Sequence, residues 1–392
     1  MQSLKELFKI GNGPSSSHTM GPKKATLYFI SKYPNMDKYE VILYGSLALT
    51  GKGHLTDKII HDTLSPYNHE VIFDYKNDDI KHPNTMDFIA YKDNKIVNKM
   101  RIYSVGGGTI NIEGEEMADN VCVYPLDSLD EIKKYCTLNN LSLSDYVYLV
   151  EGNDIIEHLM NIYDAMVNSI NEGLKKEGVL PGKLQTKRKA KAIYEASKED
   201  RSLLVSAYAY AVNEENASGG IIVTAPTCGA SGVVPACLKY LIDLGYKKDK
   251  LIDGLAVAGL IGNIVKKNAS ISGAECGCQA EVGTATSMAA AMIASVFGYN
   301  NDSIEHAAEI AMEHQLGLTC DPIDGYVQIP CIERNAIAAE RAIHAAKLAK
   351  ILVGTQKVSF DIVVETMRET GKDLNNSYRE TSEGGLAKKY RY

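Results

Sequence analysis

Three cysteines stand in settings that suit inorganic chemistry: Cys278 between Gly277 and Gln279, Cys320 ahead of Asp321 and Pro322, and Cys331 directly after Pro330. Each has small residues around it and an acid or amide close by. Cys331 opens a run with helical spacing, and a thiol at a helix N-terminus lies near the positive end of the dipole, which favours thiolate. Gly273 and Gly277 leave room for a bulky group beside the backbone. Iron–sulfur clusters are ordinarily held by four thiolates, so three suggest a [4Fe-4S] cluster with one iron open to substrate. An open position is what separates a catalytic metal from a structural one. The three cysteines come from separate segments, without ferredoxin spacing, and buried inert thiols remain the alternative. Cys276 is a spare ligand, and Cys228 sits in a Gly-bearing loop able to approach the site. Cys122, Cys136 and Cys237 lie in apolar core patterns.

A second cluster occupies residues 11–22, where Ser15, Ser16, Ser17 and Thr19 flank His18 just before a helical pattern. Four hydroxyls exceed what one helix cap requires. With the free amides of a helix start they form a natural carboxylate-binding site. His18 then reads as a general base or a hydrogen-bond donor to substrate. His54 follows in the Gly-rich turn 51–54 and reads as a loop residue. Thr227, in the loop that carries Cys228, joins the candidate substrate contacts. The glycine triplet Gly106–Gly108 resembles a phosphate-cradling loop, but suits a turn or a close backbone approach equally well.

The elements that must position these residues fall into two parts. Residues 1–150 carry strand-like runs near Val41, Val71, Phe88 and Ile102, a hairpin-like turn at residues 92–95, and a helix over residues 20–33. Residues 151–392 read as almost wholly helical, with runs over 155–176, 202–214, 233–244, 252–266, 283–297, 304–316 and 333–352. The run 284–295 is small or apolar on nearly every face, the mark of a helix buried on all sides. The expected fold class is therefore α+β: a small N-terminal α+β domain, contributing to the active site, followed by an all-α cluster-binding domain. The break at residues 178–182 is followed by a basic stretch, 183–191, that reads as a solvated helix start or linker.

Composition narrows the function classes. Hydrophobic residues at 45% and charged ones at 23%, with a formal charge of −7, suit a soluble globular protein and argue against a nucleic-acid surface. The first ten residues lack the apolar stretch of a signal peptide, and the most apolar run is too short to cross a membrane. Eight cysteines are too dilute for a disulfide scaffold, so a cytoplasmic, reducing setting is expected. Apolar helices with few exposed charges suggest a homodimer.

The motifs at residues 13–22, 44–54, 104–108, 177–182, 211–217, 224–227, 268–279, 317–322, 327–336 and 365–373 together resemble those of bacterial iron–sulfur L-serine dehydratases, nearly end to end and in the same order. The resemblance implies deamination of L-serine to pyruvate and ammonia, with the cluster in place of pyridoxal phosphate. It makes Cys278, Cys320 and Cys331 the cluster ligands and brings His18 and His54 to the site from the N-terminal domain, in the single-chain form of the family. Ser272, Glu275, Asp321 and Arg334 are expected to orient the thiolates or tune the cluster. Fused members of the family end in a cysteine tail, which residues 384–392 lack, and the region after His54 is shorter here. A related cysteine desulfidase and a non-catalytic iron–sulfur redox or sensor protein are the rival readings.

Overall fold

The computed structural model of the protein describes residues 1–76, 80–82, 84–115 and 121–391. The chain divides into two compact units, one made of Met1–Gly11 with Val121–Tyr392 and the other of Asn12–Asn120. The α+β fold class expected from the sequence is what forms. Residues 121–150, read from the sequence with the N-terminal half, supply helices to the larger, helical unit.

Strand β1 (Ile10–Asn12) precedes a wide π-type turn at Ser16–Met20 that runs directly into helix α1 (Gly21–Lys32), with Pro22 inside its first turn. Strand β2 (Lys38–Leu43) leads through the short helix α2 (Gly45–Thr50) and α3 (Thr56–Leu64) to β3 (His69–Phe73). Such a crossover lets β2 and β3 pair in parallel. Strands β4 (Thr85–Lys92), β5 (Lys95–Gly106) and β6 (Thr109–Ile112) follow as an antiparallel meander, giving the order β3-β2-β4-β5-β6. Asp93 and Asn94 both have positive φ, as the two-residue turn between β4 and β5 requires. The glycine triplet is the next hairpin turn, with Gly107 and Gly108 at positive φ, so the turn reading of that motif holds.

Along β2 every second residue is buried, and Tyr39, Val41 and Leu43 meet Phe29, Ile60, Leu64 and Phe88 in one core. One carboxylate is buried on the other face of the sheet, beside Ile42. Asp87 is 0% exposed and accepts two bonds from the directly opposite Arg101, at 2.7 and 3.0 Å, and one from Tyr44 at 3.0 Å. Burial works to raise its pKa, yet the bonds from Arg101, Lys99 and Tyr44 prevail and hold it below the usual value.

The helical unit begins with α4 (Leu129–Asn139), capped by Ser128, and α5 (Leu143–Glu151), capped by a Ser142–Asp145 box. Then come α6 (Asp154–Lys175), α7 (Ala190–Ala196) and α8 (Leu204–Ala217), the three-residue strand β7 (Ile221–Val223), α9 (Val233–Asp243) and α10 (Lys248–Asn268). The short α11 (Gly273–Cys276), α12 (Thr284–Val296), α13 (Asn301–Glu313), α14 (Cys331–Ile351), α15 (Phe360–Asp373) and α16 (Gly385–Lys389) complete it. Helix α12 is the centre, packed on by α9, α10, α13 and α14, as its all-round apolar sequence demands. The basic stretch is mostly solvated and leads into α7, as read, except at one residue. Arg188 is nearly buried and pairs with the buried Glu215 at 3.0 Å, tying the loop before α7 to α8.

Close helix approach is what makes this unit dense. A Cβ at Gly173 would lie 2.2 Å from the Ala211 carbonyl oxygen, so α6 and α8 meet backbone to backbone. Gly173→Ala is expected to cost about 1–3 kcal/mol by overpacking. Calorimetry or thermal circular dichroism should show the melting temperature falling by a few degrees; an unchanged value would contradict the packing described.

Candidate active site

In the α+β unit, the turn before α1 folds the serine-rich segment onto His18. Ser15 caps the turn, accepting from the His18 amide at 3.3 Å, and its hydroxyl lies 3.2 Å from that of Ser17. His18 Nδ1 is 2.8 Å from Ser17 Oγ, and Nε2 is 3.0 Å from Ser46 Oγ. Thr19 donates to the His54 carbonyl at 2.8 Å, and Thr56 donates to the His18 carbonyl at 2.6 Å. Ser104 donates to the Ser17 carbonyl at 2.7 Å, and its side chain fills the space where a Cβ at Gly21 would stand. Ser16 heads the turn, its carbonyl accepting from the Gly21 amide.

These bonds bring His18 and His54 together with ring centroids 4.5 Å apart. His54 lies in the Gly-rich turn as expected, but it is buried, at 4% exposed, as is His18 at 8%. Burial lowers the His54 pKa to about 4, against the bond to the Thr50 carbonyl. Burial and the neighbouring His54 charge lower that of His18, partly offset at Ser46. Both imidazoles are therefore neutral at physiological pH, the form a general base needs. His54 Nδ1 donates to the Thr50 carbonyl at 3.1 Å, which leaves Nε2 as the proton acceptor. Ser46 and Thr50 fall within the 44–54 motif and Thr56 just beyond it, but none was singled out, since only the tertiary fold sets them beside the imidazoles.

In the helical unit, Cys278, Cys320 and Cys331 are all buried. Cys278 precedes a second π-type turn, Gln279–Gly283, that opens α12. Gly277, at φ +69°, makes the bend, and Gln279 is pinned by bonds to Met367 O and from the Gly317 amide. Cys320 is held at both its backbone atoms, by Tyr378 O at 2.8 Å and the Glu380 amide at 2.8 Å. Cys331 is the first residue of α14. Asn335, one turn on, donates to Cys331 O and Gly229 O and accepts from the Gly232 amide, which binds the 224–232 loop to this helix.

The sulfurs of Cys278 and Cys320 and a carboxylate oxygen of Glu281 lie within 4.8 Å of one another. A hydrogen bond with Cys278, then burial, push the Cys320 thiol up; burial and the Cys278 charge do the same to Cys331, with Arg334 opposing. Arg334 stays charged despite burial because Cys278 and Asp321 face it. It bonds Thr319 O and, at 3.2 Å, Asp321, whose other oxygen accepts from the Leu386 amide. A Cβ at Gly273 would lie 2.4 Å from Glu281 Oε1 and 3.2 Å from Cys320 Sγ, so glycine keeps this space open. Two thiols brought close together, a third near enough for Cys278 to shift it, one balancing cation and a cleared backbone suit an iron–sulfur cluster.

Several expectations change. Cys276 is buried against Gly371 of α15, outside the thiol group, and Cys122 is exposed rather than core. Cys136 and Cys237 are core, as read. Cys228 is buried near enough for Glu281 to raise its thiol further. Thr227 donates to Glu281. Arg334 and Asp321 stand at the thiols, whereas the exposed Glu275 bonds Ser270. Glu281 and Glu380 were not singled out in the sequence. Glu380, at φ +59°, is pushed to about 8 by burial and by Glu281, against a bond from the Ala274 amide. A lone acid in the otherwise small and apolar run 279–296 was the available signal for Glu281.

Comparison with known proteins bears on both units. The profile of the serine dehydratase alpha chain matches residues 73–387, and that of the serine dehydratase beta chain matches residues 3–70. An L-serine dehydratase of Haemophilus influenzae is 42% identical over 456 residues, covering 99% of each chain. L-serine dehydratase 1 of Escherichia coli is 42% identical over 448 residues, again covering 99% of each. An L-serine dehydratase of Streptomyces coelicolor is 40% identical, covering 98% of each.

The lowered histidines make stability depend on pH. An unfolded imidazole takes up its proton near 6.5, the folded His54 near 4, so the folded state holds fewer protons in between. The contribution of His54, up to about 3 kcal/mol, is full above pH 6.5 and falls as the pH drops toward 4. Denaturant titrations across this range should show that loss, reduced in His54→Asn. Imidazole signals of His18 and His54 titrating at the ordinary value by NMR would contradict it.

Proposed function

Because the chain belongs to the serine dehydratase family, we propose that it removes water from L-serine to give pyruvate and ammonia, with a [4Fe-4S] cluster as cofactor. The observation that carries the reading is the group of buried thiols around Arg334, in a chain 42% identical over nearly its whole length to L-serine dehydratases. Cys278, Cys320 and Cys331 would hold the cluster, which supplies Lewis acidity to the departing hydroxyl.

The rest of the chemistry falls to the chain's own side chains. Ser15, Ser16 and Ser17, with the amides of the turn before α1, hold the substrate carboxylate, the role a helix start suits, while Thr19, expected among these contacts, is buried and gives its hydroxyl to the His54 carbonyl instead. His54 Nε2 takes the α-proton, and burial keeps that imidazole neutral in the absence of substrate. Loss of the proton from Cα and of hydroxide from Cβ leaves an aminoacrylate, which tautomerises and hydrolyses to pyruvate and ammonia. Arg334, held in place by Asp321, works toward the thiolate form and helps to orient the donors. No helix among the described residues is long and apolar enough to cross a membrane, and all eight cysteines are free. A homodimer in a reducing cytoplasm belongs to the same reading.

Anaerobically reconstituted protein is expected to convert L-serine to pyruvate, with L-cysteine a far poorer substrate, and to lose the activity as oxygen bleaches the cluster. Alanine at Cys278, Cys320 or Cys331 should lower bound iron and sulfide, and His54→Ala should cut turnover about 10²–10⁴-fold with the cluster intact. Turnover surviving complete removal of iron would contradict the proposal.

A further inference from the structure

Glu281 is an acid without an evident structural purpose. It sits in the π-type turn ahead of α12, and among the described residues no lysine or arginine forms an ion pair with it. Oε2 accepts from the Thr227 hydroxyl, and a Cβ at Gly229 would come within 2.9 Å of that atom. Oε1 borders the space that Gly273 leaves open beside Cys320 Sγ. One oxygen is thus fixed from behind and the other is presented to the thiol group. With no cation beside it Glu281 resists ionisation, and a cation that arrives with a ligand would supply the missing charge.

Resting on the reading of the chain as a serine dehydratase, we infer that Glu281 receives the ammonium group of the substrate. An amino acid that brings its hydroxyl to this site brings three N–H donors with it, and these need acceptors once water is displaced. The neighbouring acids are committed. Asp321 bonds Arg334, Thr319 and the Leu386 amide, and Glu380 accepts from the Ala274 amide. Glu380 also faces the thiols, but among the described residues Glu281 is the acid with an oxygen within 4.8 Å of the Cys278 and Cys320 sulfurs. It is the residue that selects a 2-amino acid over the corresponding 2-hydroxy acid, and Thr227 is a positioning residue that aims its carboxylate.

The test compares binding of L-serine and of glycerate, which has the hydroxyl and carboxylate but no amine, to reconstituted holoprotein, read from the cluster's absorbance and paramagnetic signals. Glu281→Gln should keep its iron and sulfide, weaken L-serine at least ~10-fold and change glycerate less than ~2-fold, since a charge-assisted bond is replaced by a neutral one. Thr227→Val should move the serine-to-glycerate ratio in the same direction by a smaller factor. Equal weakening of both ligands in Glu281→Gln overturns the inference. If that variant loses its cluster, an unchanged ratio in Thr227→Val overturns it instead. Failure of the unsubstituted protein to bind or dehydrate L-serine would overturn the dehydratase reading itself, whatever the variants do.

Discussion

Three thiols brought together away from water impose a charge problem that much of the helical unit is arranged to meet. Burial and mutual proximity push Cys320 and Cys331 up, so as bare side chains they resist ionisation. A metal cluster held there would replace their protons with positive charge, and the energy of binding it would depend on that exchange. Arg334 supplies part of the balance and is held by Thr319 and Asp321, so that its position does not depend on the ligand. The α14 N-terminus adds its dipole at Cys331. Donors built on helix starts and a doubly anchored loop are held more firmly than donors on a free loop.

The two units solve different problems. The helical one carries α12 at its centre and uses glycines to draw helices together, leaving little freedom in where Cys278 and Cys331 begin their helices. In the α+β unit, a five-stranded sheet supports a hydrogen-bonded nest of serine, threonine and histidine. The backbone carbonyls of His18 and His54 are each bound by a hydroxyl from the neighbouring element, so the imidazoles are fixed through their main chain. That leaves the side chains desolvated and neutral, with the His54 orientation set by Thr50. The pairing of buried Asp87 with Arg101 directly across β4 and β5 anchors the sheet that carries Ser104.

Much of this was legible in the sequence. Apolar periodicity located α6, α8, α9, α10, α12, α13 and α14, and the alternation around Val41 and Phe88 located central strands. Helices α4, α5 and α15 were not read, although each buries an apolar stripe at helical spacing and opens on a capping serine, Ser128, Ser142 or Ser359. The cysteines and His18 stood out by residue type and setting. Ser46, Glu281 and Glu380 did not, since their importance lies in what tertiary structure sets beside them. Arg188 shows the converse: a basic run suggests a wet surface, but one of its members is buried by partnership with Glu215.

Mössbauer spectroscopy of protein reconstituted with ⁵⁷Fe, recorded before and after adding L-serine, bears most directly on the central claim that these thiols leave one iron to the substrate. The account predicts that a single iron of the cluster changes its signal while the other three keep theirs. A spectrum in which every iron is thiolate-bound and none responds to L-serine would contradict it.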